Sequence, residues 1–316
     1  MFFCLDARRE SRLEYDKPAL TFDQQADRLL ERGLIAERDA LLQRLMATNY
    51  FRLSSYAWPF LEDDRYREDT TLEQVWRLYT FDHRLRTLFI DAIESIEVQM
   101  RTQLAYHFAH AHGQFAYMEP GNFPNFDEDT DDFKKKWKGK LKQIVNRSLD
   151  PKGSETFAVN YFRDYGDRHD LLPIWMIAEL MDLGATLSFF RGVSIDIRKE
   201  VASTIGQPEE LVLSWLTGLN VVRNRCAHHA RLWNWYSTGV KRPNKRKFPE
   251  WRHHALPINQ MGFMLTVCRY WLNKIAPDNT WTKRTFELFD TYPEIPLRKI
   301  GLPEDWREHP LWKTTT

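Results

Sequence analysis

Residues 71–112 read TLEQVWRLYTFDHRLRTLFIDAIESIEVQMRTQLAYHFAHAH, a stretch that would form about twelve turns of one helix. Apolar side chains recur along one face at helical spacing, namely Leu78, Leu85, Leu88, Ala92 and Ile96. Polar side chains define a second stripe, which consists of Asp82, Arg86, Glu94, Glu97 and Arg101. A helix with these two faces must bury the apolar one against other helices, which predicts a helical bundle.

The rest of the chain favours the same fold class. It has only 13 glycines among 316 residues, and this composition favours helices over a turn-rich β architecture. We predict an all-α protein with an N-terminal helical region (1–70), a helical core (71–236) and a C-terminal extension that contains a basic loop and a helix (237–316). Shorter helices are predicted at 21–33, 37–48, 211–234 and 259–274, with a helix pair at 171–190 and a packed connector at 49–60.

Charge and cysteine content limit the classes of function. The net charge of +1 predicts no attraction of nucleic acid to the whole surface, so a polyanion site must come from local segregation of charge. Three cysteines without a CxxC pair indicate a reducing compartment. The N-terminus does not read as a signal peptide, and no apolar run approaches the roughly 18 residues of a membrane span. We expect a cytoplasmic protein without membrane contact.

The stretch 211–234, LVLSWLTGLNVVRNRCAHHARLWN, contains the candidate catalytic residues. On an ideal helix, one stripe is expected to face the core and consists of Trp215, Leu219, Val222, Cys226, His229 and Trp233. Asn224, His228 and Arg231 cluster on the opposite side, and Arg223 lies near the edge between the two faces. The two neighbouring histidines are therefore predicted to differ, with His229 packed in the core and His228 turned outward.

The outward group suits cleavage of RNA. A guanidinium binds phosphate and stabilises negative charge as it develops. A nearby imidazole, kept neutral by surrounding cations, can accept the proton of a ribose 2′-hydroxyl or donate one to the leaving 5′-oxygen. This reaction needs neither a metal nor a cofactor, and the chain has no GxxxxGK[ST], GxGxxG or HExxH motif. An Arg-x4-His spacing alone is a weak signal, because it occurs by chance in many proteins.

The string VVRNRCAHHARLWN resembles the signature of abortive-infection (Abi) proteins of the AbiD/AbiF type, which belong to the HEPN superfamily. Four other blocks resemble that family in the same order, at 17–34, 49–60, 78–106 and 172–190. The similarity covers about residues 17–236. It implies a HEPN-type helical bundle, RNA cleavage or RNA binding, and a toxin-like role in bacterial anti-phage defence. It also implies that Arg223, Asn224 and His228 are the catalytic residues.

The resemblance further implies a homodimer, because HEPN ribonucleases bring two motif helices together. The chemistry points the same way. One chain offers one outward His228, whereas a base, an acid and a phosphate clamp are better supplied by two copies related by a two-fold axis.

Four residues are candidates for supporting roles. Glu94 and Glu97 either orient Arg223 or His228, or form a ladder of ion pairs with Arg86 and Arg101. Arg231 adds a cation beside the outward group. Asp82 is assigned either a structural or a supporting role.

Two charged segments are candidates for RNA contact. The loop after the motif combines cations with an aromatic residue, which suits single-stranded RNA, and its candidates are Lys241, Arg242, Lys245, Arg246, Lys247 and Trp251. Residues 127–142 contain five acidic residues followed by six lysines. This pattern fits a solvated helix start, and RNA contact by the lysines is the alternative.

Three function classes remain open from the sequence. The first is an endoribonuclease toxin whose partner is its RNA substrate. The second is a non-cleaving RNA-binding regulator that holds a small structured RNA, since the same cations bind phosphate without turnover. The third is a protein-interaction module that uses exposed aromatic side chains.

Overall fold

The computed structural model describes residues 17–126, 137–152, 154–252 and 256–313. In these residues the chain is 64% helical, with twelve α-helices and one two-stranded sheet, which confirms the all-α prediction. The chain divides into two compact units, 1–80 and 81–316, and the division falls inside the longest helix. Most of the acidic and lysine-rich segment, 127–136, lies outside the described residues.

The described part of the first unit contains three short helices and a hairpin. Its elements are α1 (Phe22–Glu31), α2 (Arg38–Thr48), α3 (Tyr50–Ala57), β1 (Leu61–Glu62), β2 (Arg65–Tyr66) and the start of α4 (Leu72–His112). The strands are antiparallel, with Leu61 opposite Tyr66. Thr21 and Gln24 form a capping box at the start of α1, and Gly33 follows that helix with a φ of +94°.

Helix α3 corrects the prediction of a connector at 49–60. Asn49 adopts a φ of +67°, which ends α2, and its side chain accepts a hydrogen bond from the backbone N–H of Phe51 at 2.9 Å. An Asn in this conformation stops one helix and caps the next. The aromatic residues of the segment therefore lie on a helix.

The second unit contains the rest of α4 and eight further helices among its described residues. They are α5 (Gly139–Ser148), α6 (Thr156–Tyr165), α7 (Ile174–Glu179), α8 (Leu183–Gly192), α9 (Ile195–Ser203), α10 (Glu209–Ala227), α11 (Met261–Ile275) and α12 (Trp281–Thr291). The predicted apolar stripe of α4 is buried at all five of its positions. Helix α10 packs against α8 and α9.

The C-terminal part of the chain contributes to the core of this unit. All residues of α11 from Met261 to Leu272 are buried. The indole N–H of Trp281 donates to the carbonyl of Leu88 at 2.8 Å, and that of Trp312 donates to the Thr266 hydroxyl at 3.0 Å. The segment after residue 236 thus supplies core helices and tryptophans to the unit that also contains α10.

Helix α10 is shorter than predicted and ends at Ala227. His229 adopts the left-handed region, with a φ of +55°, and the N–H groups of His229 and Ala230 donate to the carbonyls of Cys226 and Arg225. This pair of bonds is a Schellman arrangement, which ends a helix. His229 is consequently exposed, so its predicted core position was wrong, whereas the other five residues of that stripe are buried.

In the part of the chain that the structure describes, no helix has both the length and the apolar character that crossing a membrane requires.

Candidate active site

The three candidate catalytic residues lie at the C-terminal end of α10. Arg223 is partly buried, whereas Asn224 and His228 are exposed. The Arg223 guanidinium donates to the Asn224 side-chain oxygen at 3.3 Å, and the backbone N–H of His228 donates to the Asn224 carbonyl at 3.0 Å. The imidazole thus projects from the helix terminus into solvent, as predicted for His228.

Arg223 lies within the electrostatic influence of two carboxylates, Glu97 on α4 and Asp182 at the start of α8. Asp182 caps α8 by accepting the N–H of Ala185 at 2.7 Å, and it accepts Nζ of Lys140 at 2.9 Å. Burial by itself would raise the pKa of Asp182. The bonds from Lys140 and Ala185, together with the charges of Lys140 and Arg223, outweigh that effect and lower the pKa.

Glu97 belongs to the same group of charges. Its side chain is 16% exposed, and its carboxylate lies 3.9 Å from Arg101. Burial raises the pKa of Glu97, although the charges of Arg101 and Arg223 oppose the shift. Glu97 therefore forms an ion pair along α4 with Arg101 and also experiences the charge of Arg223. Glu94 is exposed to solvent.

Two polar groups lie beside the first turn of α8. A Cβ atom at Gly184 would lie 3.4 Å from Lys140 Nζ and 3.7 Å from Asn220 Oδ1, which are ordinary contact distances. We call Glu97, Arg101, Lys140, Asp182 and Arg223 the polar cluster. Asp182 was not among the residues predicted from the sequence, where its only sign was an aspartate placed as a helix N-cap. Lys140 was included only as one of the six lysines of 127–142.

The raised pKa of Glu97 predicts how the stability of the fold depends on pH. A group whose folded-state pKa is raised stabilises the fold below its unfolded pKa, and this contribution is lost as pH rises through the folded pKa. We expect the melting temperature of Glu97→Gln, relative to the unmodified chain, to be higher at pH 8 than at pH 4. Thermal melts of both proteins at several pH values measure this difference. Exposed Glu94→Gln is the matched control, and a pH-independent difference at position 97 would contradict the prediction.

Asp82 has a structural role. It is fully buried, and its Oδ1 accepts the backbone N–H groups of Leu232 at 3.0 Å and Trp233 at 2.6 Å. Its other oxygen forms an ion pair with buried Arg86. The Asp82 carboxylate thus attaches the segment after α10 to α4.

A second interaction fixes the same segment. Arg225 donates to the backbone carbonyl of Arg231 at 2.7 Å, and its guanidinium lies 4.2 Å from the centre of the Trp235 ring. Arg231 itself is half-buried. The segment 228–235, which contains His228, is therefore held at both Asp82 and Arg225.

Cys226, in the middle of the motif, is buried. Burial raises the pKa of its thiol to about 12. A thiol with this pKa is protonated at neutral pH, so Cys226 does not act as a nucleophile there.

One chain offers a single imidazole at this end of α10. Arg223 acts electrostatically on Glu97 and Asp182, whereas the His228 side chain is exposed to solvent.

The basic loop begins on another side of α10. The backbone N–H of Lys241 donates to the Ser214 hydroxyl at 2.8 Å, and its ammonium pairs with Glu210 at 2.6 Å. Ser214 precedes Arg223 by nine residues, which is about 13 Å along the axis and half a turn around it. Arg242 donates to the carbonyl of Leu256, whereas the remaining lysine and arginine candidates, Lys245, Arg246 and Lys247, are exposed.

Trp251 corrects the prediction of a base-stacking residue in this loop. Its side chain is 3% exposed, and its ring packs against Trp215, Phe263 and Tyr270. The Trp251 ring is buried in the core beside α10 and α11, so no base can stack on it in this conformation.

The family profile of Abi-like proteins matches residues 43–234, more than half of the chain. The chain belongs to the Abi-like protein family. The matched region contains α4, α5, α8 and α10, and therefore the whole polar cluster, the motif and Asp82. Neither a curated protein nor a solved structure matches the chain. Membership of the Abi-like family suggests a role in abortive infection, a defence against phage.

Proposed function

We propose that this Abi-like protein is a metal-independent endoribonuclease of the HEPN type. The observation that carries the proposal is the position of His228, which projects into solvent from the end of α10 little more than one turn beyond Arg223. An exposed imidazole and a guanidinium at one helix end supply a proton-transfer group and a phosphate-binding group.

Each residue has a distinct role in the proposed reaction. Arg223 binds the scissile phosphate and stabilises the charge that develops on it, and Asn224 adds a hydrogen bond. The imidazole of His228 takes the proton of the ribose 2′-hydroxyl, whose oxygen then forms a bond to phosphorus. The bond from phosphorus to the 5′-oxygen breaks, and an imidazolium returns a proton to that oxygen. The products carry a 2′,3′-cyclic phosphate and a 5′-hydroxyl, and neither water nor an oxidant takes part.

The carboxylates of the polar cluster position the guanidinium. Glu97 and Asp182 attract Arg223 from α4 and α8, and Lys140 and Arg101 partly neutralise them. The polar cluster therefore contains three cationic side chains and two carboxylates, and the pKa of one carboxylate, Glu97, is raised. This balance leaves the cluster able to attract an anion such as phosphate.

A homodimer completes the proposed site. Since a single chain supplies one His228 and one Arg223, a two-fold axis at the end of α10 would supply a second imidazole and a second guanidinium. One His228 then acts as base and the other as acid. The exposed cations Lys245, Arg246 and Lys247 bind flanking phosphates of the same RNA.

The proposed biological role combines this chemistry with the family. A protein that cleaves cellular RNA after infection stops the growth of its host and so limits the phage. The activity is toxin-like and must be restrained until infection.

Replacing Arg223 with alanine tests the proposal. We expect the rate of RNA cleavage in EDTA to fall by about 100- to 1,000-fold, as when a group that stabilises developing charge is removed. Arg223→Lys should recover only part of the loss, because an ammonium lacks the planar fork. The measurement is the initial rate on labelled single-stranded RNA, with the molar mass of each protein from light scattering, where two chains are expected.

Arg163→Ala is the matched control, since Arg163 is exposed and, among the described residues, pairs only with Asp164 beside it and Asn160 on its own helix. Equal rates for Arg223→Ala and the control would contradict the proposed role of Arg223. Tight binding of RNA that stays intact with the unmodified protein would favour the non-cleaving regulator instead.

A further inference from the structure

An open groove lies between the C-terminal half of α4 and α7. Its volume is about 700 Å³. Small residues contribute to its lining, among them Ala105 and Ala109 from α4 and Ala178 from α7. Larger side chains at its sides are Tyr106 and Trp175. A groove with a small-residue lining and aromatic sides suits a flat ring system.

The two aromatic residues are available for contact. Tyr106 is 58% exposed and Trp175 is 48% exposed. The Tyr106 ring meets His110 edge to face at 4.4 Å between ring centres, which restrains its orientation. Tyr106 and Trp175 are large rings that remain about half exposed beside the groove. Another ring can stack on their exposed faces.

The groove shares one residue, Arg101, with the polar cluster. Arg101 lines the groove, and it also lies 3.9 Å from Glu97, which interacts with Arg223. Arg101 is held in place because its guanidinium donates to the carbonyls of Glu179 at 2.8 Å and Met181 at 3.2 Å. An RNA strand that follows α4 from Arg223 would therefore reach the groove at Arg101.

We propose that this groove binds unpaired bases of the RNA strand whose phosphate Arg223 binds. The inference rests on the proposed function and names its substrate as single-stranded RNA. Stacking on aromatic side chains requires bases that are not paired in a duplex. Arg101 and Glu179, which also line the groove, offer polar groups that can bond to base edges.

The test measures RNA binding without cleavage. Every protein carries His228→Ala, and a fluorescently labelled single-stranded RNA is titrated while anisotropy is recorded. We expect Trp175→Ala and Tyr106→Ala each to weaken binding by about 5- to 100-fold, the range for removal of one base-stacking side chain. Trp175→Phe keeps a ring and should recover most of the affinity. The matched control is Tyr165→Ala, because Tyr165 lies on α6 outside the groove lining and is 55% exposed.

The outcomes separate this inference from the proposed function. Weaker RNA binding by the Trp175 and Tyr106 variants supports base binding in the groove, even if the unmodified protein never cleaves RNA. Binding equal to that of the control overturns it, even if Arg223 and His228 prove catalytic. Unchanged RNA binding together with a loss of self-association would also overturn it, since the groove would then hold a second copy of the chain. A duplex of the same sequence should bind more weakly and should not respond to the groove variants.

Discussion

His228→Ala is expected to lower the rate of RNA cleavage in EDTA by about 100- to 10,000-fold, the usual contribution of a general acid or base. The fold should survive, because the side chain is exposed and the backbone N–H keeps its bond to the Asn224 carbonyl. Initial cleavage rates and thermal melts of the same preparations measure the two effects.

The neighbouring histidine provides the control for this prediction. His229 is also exposed, and its left-handed φ of +55° is well suited to asparagine. His229→Asn should therefore keep the Schellman end of α10 and most of the activity. If both variants lose activity equally, or if His228→Ala cleaves at the unmodified rate, the assignment of His228 as the proton-transfer group is wrong.

Asp82→Ala is expected to have the largest effect on stability. The change leaves Arg86 buried without its carboxylate partner and removes the acceptor of two backbone N–H groups. Breaking a buried ion pair in this way costs about 3–5 kcal/mol. For a unit of this size the melting temperature should fall by roughly 6–20 °C. Thermal denaturation followed by circular dichroism measures the fall.

A surface aspartate on the same helix is the control. Asp91 pairs with Arg284 at 2.6 Å, and both side chains are more than 40% exposed. Asp91→Ala should cost no more than about 1 kcal/mol, because water screens exposed pairs. A similar fall in melting temperature for both variants would show that Asp82 does not attach the segment after α10. Activity of Asp82→Ala, measured below its melting temperature, reports whether that attachment also positions His228.

Local pattern was sufficient to predict most of the helices. The apolar spacing along α4 identified its buried face, and the capping residues Thr21 and Gln24 marked the start of α1. These features depend on neighbours three or four residues away, so the sequence contains them directly. The exposed position of His228 was predicted for the same reason.

Features that depend on distant residues could not be predicted. Asp82 binds the segment after α10 from 150 residues away, and the early end of that helix follows from the turn at His229. Trp251 read as an exposed loop residue because nothing near it in sequence shows the packing partners on α10 and α11. Lys140 and Asp182 approach Arg223 only through the packing of α5, α8 and α10, so no local spacing identifies the polar cluster.

The most direct test of RNA cleavage through the 2′-hydroxyl uses two RNA oligonucleotides in EDTA. They share one sequence, and the second lacks a single 2′-hydroxyl at the position where the first is cut. The proposed mechanism predicts fragments with 2′,3′-cyclic phosphate and 5′-hydroxyl ends from the first, and no cut at the modified position of the second. Cleavage of the modified position, or fragments with 5′-phosphate ends, would contradict it.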